Sequence, residues 1–325
     1  MSTANAKQHY DLLAGHLGHL TEDQQKKFTT FKDNLAKAKL CTVEIPPDVR
    51  ASHDDATILR FLRARRFDPD KAQKQFATTE EWRRKQDIDR LYATFDAEEF
   101  EHAKHFYPRW TGRRDKHGVP VYVFRLASLD SPMQKELNAI PVERRYQRIV
   151  ALWEFMSRFT LPLCGALPHH CPNDTDEAPS PPNPTPISTV TSIIDLENVS
   201  LETLHRIAVV NAPGFFPTVW NWIKVWFDEG TRNKVFVLGN DPGPQLRTFI
   251  APQDLPRTYG GELDFNFGDE PVLDDAARAV LGEQGVPKGP IVFANGYVTN
   301  SRVPGQDNEN ADMISNHTQG SASTR

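Results

Sequence analysis

Residues 206–239, RIAVVNAPGFFPTVWNWIKVWFDEGTRNKVFVLG, read as a strand, a helix and a second strand, and that order sets the class of the fold. RIAVVNAP and NKVFVLG are short apolar runs bounded by turn residues. Between them Phe216, Trp220, Ile223 and Phe227 share one helical face, and Val219, Trp222 and Trp226 share another. With Phe215 at its start the helix is apolar nearly all round. Such a helix is either buried on both sides or moves between protein and an equally apolar medium. Three of the six tryptophans lie here, and Trp tolerates an apolar body beside a wet edge. The run is shorter than the roughly 20 apolar residues a bilayer span needs. Taken alone, its simplest reading is a core helix, closed at Gly230.

Working outward, TVTSIIDLENV (189–199) is a further strand, and Gly118 leads into VPVYVFRL, the first convincing strand of the chain. From Pro141 to Thr160 the positions Tyr146, Ile149, Val150, Trp153 and Met156 predict one long amphipathic helix, and PQLRTFI (244–250) a short one. Strands alternating with helices imply an α/β layer with a mostly parallel sheet, covered on one side by helix 141–160. Nearer the N-terminus, Thr21 and Gln24 form a capping-box pattern ahead of Phe28, Phe31 and Leu35. Asp54 caps a helix carrying Ile58, Leu59, Phe61 and Leu62, and Asp68-Pro69 starts another with Pro at its first position. That third helix carries Ala72, Phe76 and Thr79 on its stripe. Residues 21–92 are therefore a small helical domain, preceded by a flexible N-terminus at 1–20. A second domain runs over 100–266 with a proline-rich insert, seven prolines within 163–186. Residues 267–325 read as a largely disordered tail.

The chain has 325 residues and a formal net charge of −5, long enough for a sizeable core and too acidic for a nucleic-acid binder. Three cysteines without framework spacing suit a reducing compartment. The sequence contains no G-x-S-x-G elbow, P-loop, G-x-G-x-x-G fingerprint or H-E-x-x-H pair. Cys164, His169, His170 and Cys171 sit in the proline-rich stretch with no element to fix metal geometry. Asp195 and Glu197 end a strand and read as caps for the next helix rather than as an acid/base pair. Arg63, Arg65 and Arg66 crowd a helix C-terminus, where the helix dipole favours cations. The same guanidinium groups also suit bidentate pairing with phosphate. No residues are arranged as an activated nucleophile, so the sequence does not read as an enzyme and implies no cofactor or metal.

DDATILRFLRARRFD with WRRK, then FYPRW, DKHGVPVYV, SIIDLENVS, IAVVNAPGFFPTVW, KVFVLG and LPRTYGGELDF, resemble in order the CRAL-TRIO lipid-binding family. Within it the chain looks like the fungal secretory-pathway type of phosphatidylinositol/phosphatidylcholine transfer protein. The resemblance implies a helical N-terminal domain, a lipid-binding domain with helices on one face of its sheet, and a helical gate over an apolar pocket. It places the gate and membrane contact on Phe215, Phe216, Trp220, Trp222, Ile223, Trp226 and Phe227. Recognition of a phosphoinositide headgroup falls on Arg65, Arg66, Glu202 and Lys234, with Arg66 where the family often has Lys. Recognition of choline lipid falls on Tyr122 and Ser192, although Trp110 and Val190 stand at two further polar positions of that set. The implied function is phospholipid binding and transfer between membranes, mainly of phosphatidylinositol with phosphatidylcholine exchange beside it. The implied protein is a cytoplasmic monomer, peripheral to Golgi, endosomal or other internal membranes, whose ligand is a phospholipid and whose partner is a transient membrane surface. Alternative readings are a carrier of a neutral hydrophobe such as a sterol, a lipid-sensing regulatory module, and a non-functional isoform.

The last alternative comes from a departure. Family members carry further helices that are missing here between Leu201 and Glu202, leaving the ten residues Glu197 to Arg206 between two strands. A parallel crossover usually needs a dozen residues or more, so a wall of the pocket is expected to be incomplete. Magnitude makes this matter: each lipid CH₂ is worth about 0.8 kcal/mol, so two chains of about sixteen carbons need on the order of 25 kcal/mol of compensating burial.

Overall fold

In the computed structural model the described residues are 14–42, 53–125, 131–168, 187–196, 236, 238–294 and 296–300. The 206–239 stretch, its gate helix included, lies almost wholly outside them, as do Glu202 and Lys234. The chain divides into two compact units, Met1–Ile88 and Asp89–Arg325.

In the first unit, side-chain caps start each of three helices. Thr21 and Gln24 close a reciprocal capping box on α1 (Glu22–Lys37), Asp54 accepts from Thr57 N–H at 2.7 Å to start α2 (Asp55–Ala64), and Asp68 does the same for Lys71 in α3 (Pro69–Lys85). Each such cap is worth about 1 kcal/mol because it satisfies an orphan N–H of the first turn. The helices bury Phe28, Phe31, Leu35, Ile58, Leu59, Leu62, Ala72 and Phe76 in one cluster. Residues 14–20, expected to be loose, instead form turns: His16 is buried, and Leu17 and Leu20 pack on that cluster.

The second unit contains α4 (Ile88–Ala93, its first residue shared with the boundary), α5 (Ala97–Ala103) and a three-stranded sheet in the order β1 (Arg109–Arg114), β2 (Pro120–Arg125), β3 (Thr191–Asp195). β1 precedes the strand read first from sequence. It pairs antiparallel with β2, and β2 pairs parallel with β3. β1 escaped recognition because RWTGRR carries charges and a glycine instead of apolar alternation. Gly112 sits at φ +86 beside a break in the β1–β2 register, and a Cβ there would lie 2.6 Å from the Val272 backbone, which crosses close over it.

Alternation divides the sheet into two covered faces. Trp110 and Tyr122 join Phe155, Phe159, Leu163 and Ile291 in one cluster, and Val121, Val123 and Ile193 join Leu246, Ile250, Tyr259 and Phe265 in the other. After α6 (Ser131–Ala139), α7 (Val142–Phe155) and α8 (Leu161–Ala166) belong to the first side, and the short α9 (Gly243–Phe249) to the second. The single helix expected over 141–160 ends at Phe155 and continues as a π-turn, Met156–Thr160, where Leu161 N–H donates to Met156 O. Pro162 has no N–H to continue the α-pattern, which accounts for the widened turn. The inward face of α7 also differs from expectation. Val150, Ala151, Glu154 and Phe155 are buried, whereas Tyr146, Ile149 and Trp153 are exposed.

The tail expected to be disordered from 267 onward is instead structured to Asn300 among the described residues. It forms α10 (Asp275–Leu281) and a hairpin of β4 (Ile291–Ala294) and β5 (Tyr297–Asn300). Leu273, Ala277, Ile291 and Phe293 enter the first-face cluster, and the buried Tyr92 hydroxyl donates to Ile291 O at 2.7 Å.

Candidate functional site

Arg65 and Arg66 stand at the end of α2 in a Schellman turn. Phe67 N–H donates to Leu62 O at 2.9 Å and Arg66 N–H to Arg63 O at 3.0 Å. Glycine is the usual residue at the left-handed position of this motif, yet here Arg66 has φ 53 and Phe67 φ 59. A non-glycine residue in this region costs about 1–2 kcal/mol. The cost is offset locally: Phe67 packs on the same cluster as Leu62, and Gly15 leaves room for its ring, since a Cβ there would meet it at 3.2 Å. The result is a fixed turn that holds two adjacent arginines exposed, with no carboxylate paired to either among the described residues. Asp68, the following residue, is committed to Lys71, whose ammonium lies 2.6 Å away and holds the Asp68 carboxyl below the usual carboxylate range.

In the second unit Trp110, Tyr122 and Ser192 form one row across the sheet, Trp110 opposite Tyr122 and Tyr122 beside Ser192. Trp110 and Tyr122 are buried and Ser192 is exposed. The π-turn brings Thr160 against this row, so that the Tyr122 hydroxyl donates to Thr160 Oγ1 at 3.2 Å. Burial pushes the Tyr122 phenol far above its ordinary range, and Tyr122 is neutral at any physiological pH.

Trp110 and Tyr122 line a cavity of about 40 Å³ together with Leu152 and Phe155 of α7, Lys104 and Arg109. A water needs at least roughly 10–15 Å³ of such volume, so the space is of the order of a few waters or a small polar group. Sequence reasoning missed Lys104 and Arg109, whose only signal was their place around FYPRW. Lys104 follows α5 and reaches both oxygens of Glu101, at 2.8 and 2.9 Å. Its ammonium also lies over the rings of Phe100 and Phe155, at 4.9 and 4.8 Å from their centroids. Burial lowers the Lys104 pKa, opposed by the Glu101 charge.

Asp195, read from sequence as a strand-end cap, is instead fully buried. It accepts from the Tyr259 hydroxyl at 3.1 Å and lies 3.5 Å from Arg125 Nε. Among the described residues no group of three His, Cys, Asp or Glu is placed to hold a metal, and no helix is long and apolar enough to cross a membrane. Of the residues singled out from sequence, Arg65 with Arg66 and Tyr122 with Ser192 are thus brought together pairwise, one pair in each unit.

Residues 19–78 match the CRAL/TRIO N-terminal domain and residues 104–261 the CRAL/TRIO domain. The chain is 28% identical to the Sec14 cytosolic factor of Schizosaccharomyces pombe, over 81% of this chain and 90% of that one. It is 25% identical to the SEC14 cytosolic factor of Kluyveromyces lactis, over 78% and 82%. It is 29% identical to the phosphatidylinositol/phosphatidylcholine transfer protein SFH9 of Arabidopsis thaliana, over 74% of this chain and 41% of that longer protein. The crystal structure of Sfh5 shares the fold with a TM-score of 0.51 at 16% identity, covering 81% of this chain and 97% of that one. With both of the family's domains present in order, and a fold shared with a solved structure over most of its length, this chain belongs to the CRAL-TRIO family.

Proposed function

We propose that this protein binds a phospholipid and carries it between membranes, with phosphatidylinositol as its principal cargo and phosphatidylcholine exchange beside it. The observation that carries the headgroup reading is the Schellman turn at Arg66. Backbone strain is spent there to hold two guanidinium groups on the surface without a carboxylate partner among the described residues, where a phosphate can be taken bidentately. The similarity to a protein named for phosphatidylinositol/phosphatidylcholine transfer supports the choice of cargo. Glu202 and Lys234, which the resemblance also assigns to headgroup recognition, lie outside the described residues. The Trp-rich segment 215–227 is the gate that touches the bilayer, because lipid leaving through water would face the cost of its exposed chains. The chemistry is carriage by a monomer at cytosolic membrane surfaces, with no bond made or broken and no cofactor beyond the bound lipid.

The test is transfer of labelled phosphatidylinositol between vesicles. Hydrogen bonds to charged groups contribute about 1.5–3 kcal/mol, so an Arg65→Ala/Arg66→Ala chain is expected to transfer it about tenfold more slowly or worse. Wild-type transfer by that double variant removes the headgroup assignment, and absence of transfer by the wild-type chain removes the carrier reading.

A further inference from the structure

We propose that the side of α7 carrying Arg145 and Arg148 is an oxyanion site, separate from the Arg65–Arg66 turn, that takes a phosphate-class group. Of the three arginines in this part of α7, Glu99 serves two. It accepts from Arg144 through Nε and Nη2, and from Arg148 through Nε at 2.8 Å. Arg144 also donates through Nη1 to Gln147 Oε1 at 2.7 Å. Arg145 has no ion pair among the described residues, and its one hydrogen bond there, Nη1 to Asn138 Oδ1, is stretched to 3.5 Å. Glu136 faces His102 at 3.2 Å, and the exposed Glu98 and Glu143 make no ion pair with these arginines among the described residues.

Two donors are left over inside this cluster. Arg145 Nε and Arg148 Nη1 are buried and have no hydrogen-bond partner among the described residues. Residues 145 and 148 are three apart on the helix and so project from the same side. Native structures hold few buried donors without an acceptor, and a bound ion or water accounts for most of them. Arg113 and Arg125 also carry a buried Nε without a hydrogen bond, but each faces an aspartate, Asp254 at 3.3 Å and Asp195 at 3.5 Å. On α7 the leftover donors coincide with an arginine that has no carboxylate.

The donor types select the ligand. Guanidinium groups present N–H donors in a planar fork that matches two oxygens of a phosphate. Arg145 can turn toward such a group at little cost, because the contact it gives up, with Asn138, is already long. The Arg148 side chain is only 11% exposed, so its charge is screened less than a surface cation's. Tyr107 supplies a neutral donor: burial raises its pKa, opposed by the charges of Arg148 and Arg145, and its hydroxyl keeps its proton. The phosphate is either a free ion or the headgroup of a lipid such as phosphatidate at a membrane surface. Neither the Arg65–Arg66 pair nor the gate enters this inference, so it does not rest on the carrier reading above.

The experiment uses the full chain carrying Arg65→Ala and Arg66→Ala, so that the exposed pair contributes nothing. It follows the side-chain Nε–H resonances of Arg145 and Arg148 in ¹⁵N-labelled protein. Sodium phosphate is expected to shift both saturably, and sodium chloride at equal ionic strength to leave them in place. Arg145→Gln, added to that chain, is expected to weaken the phosphate response of Arg148 about tenfold or more, which corresponds to about 1.4 kcal/mol or more of lost binding free energy. Glu99→Gln is expected to strengthen the response, because it frees Arg144 and Arg148 from a competing carboxylate. A purely structural role for the arginines predicts no such gain. In a second arm the protein is sedimented with vesicles of phosphatidylcholine alone or mixed with phosphatidate. Phosphatidate-dependent sedimentation that Arg145→Gln reduces identifies a lipid source, and a phosphate shift without it identifies a free ion. The proposal is overturned if chloride moves the two resonances as phosphate does, or if a folded Arg145→Gln or Glu99→Gln chain responds like its parent. It is equally overturned if phosphate leaves both resonances unmoved and phosphatidate recruits the parent no better than Arg145→Gln. The phosphate–chloride comparison needs neither added variant. Failure of phosphatidylinositol transfer leaves the phosphate titration unaffected, so the two readings fail separately.

Discussion

Glu99 takes hydrogen bonds from two arginines of one helix: Arg144 through Nε at 2.9 Å and through Nη2, and Arg148 through Nε at 2.8 Å. The hydrogen bond from Arg144 is the main reason its carboxyl is held below the usual range, partly opposed by burial, with Arg148 adding to it. A depressed folded-state pKa means that the stabilisation is fully present above the unfolded value, about 4.3. It is lost as pH falls through the folded value. The stability gap between wild type and Glu99→Gln, read by urea denaturation, is therefore expected to be constant from pH 7 to about 5 and to close progressively below about 4. A gap independent of pH down to acid unfolding would show that the pair contributes only through packing. The spacing of Arg144 and Arg148 on α7 was legible in the sequence as a helical i, i+4 pair, but their common target on another helix was not.

At the scale of elements, α7 shows why periodicity names a helix without orienting it. Val142, Tyr146, Ile149 and Trp153 form a line of large apolar residues, and the sequence reading turned most of that line inward. The structure leaves Trp153 at 65% exposure and Val142 at 72%, and buries Phe155 at 7%. The smaller line of Val150, Ala151 and Phe155 lies inward because it meets Phe100 and Phe159, rings supplied by other elements. Accordingly Trp153→Ser is expected to change unfolding free energy by no more than about 0.5 kcal/mol. Phe155→Ala should cost about 3–5 kcal/mol. Urea denaturation of both variants measures the difference, and equal losses would contradict the observed orientation. β1 makes the complementary point: its polar residues form a strand because β2 offers a partner ladder on one side and Val272 N–H donates to Thr111 O at 2.8 Å.

At the scale of the whole molecule, the segment after the family match completes the second unit's core. Leu273, Ala277, Ile291 and Phe293 are apolar contributions from 269–300, and the Tyr92–Ile291 hydrogen bond joins positions 199 residues apart. A chain ending at Gly268 would expose the Phe155 and Phe159 side and leave the Tyr92 hydroxyl without its acceptor. It is expected to lose near-ultraviolet circular dichroism and cooperative urea unfolding. A sharp transition at the wild-type midpoint would show that 269–300 is dispensable for folding.

Helix starts were decided by the sequence alone, because a cap is a bond between residues three apart. Thr21, Asp54 and Asp68 were each readable, and each caps the helix expected of it. The ordered motifs likewise identified the family, since local chain geometry repeats wherever those motifs occur. Tertiary structure alone decided which face of α7 is buried, that Asp195 meets Tyr259 rather than a helix end, and that Lys104 and Arg109 border one cavity with Tyr122. Those outcomes depend on burial and charge compensation between distant segments, and these energies exist only once the segments have met.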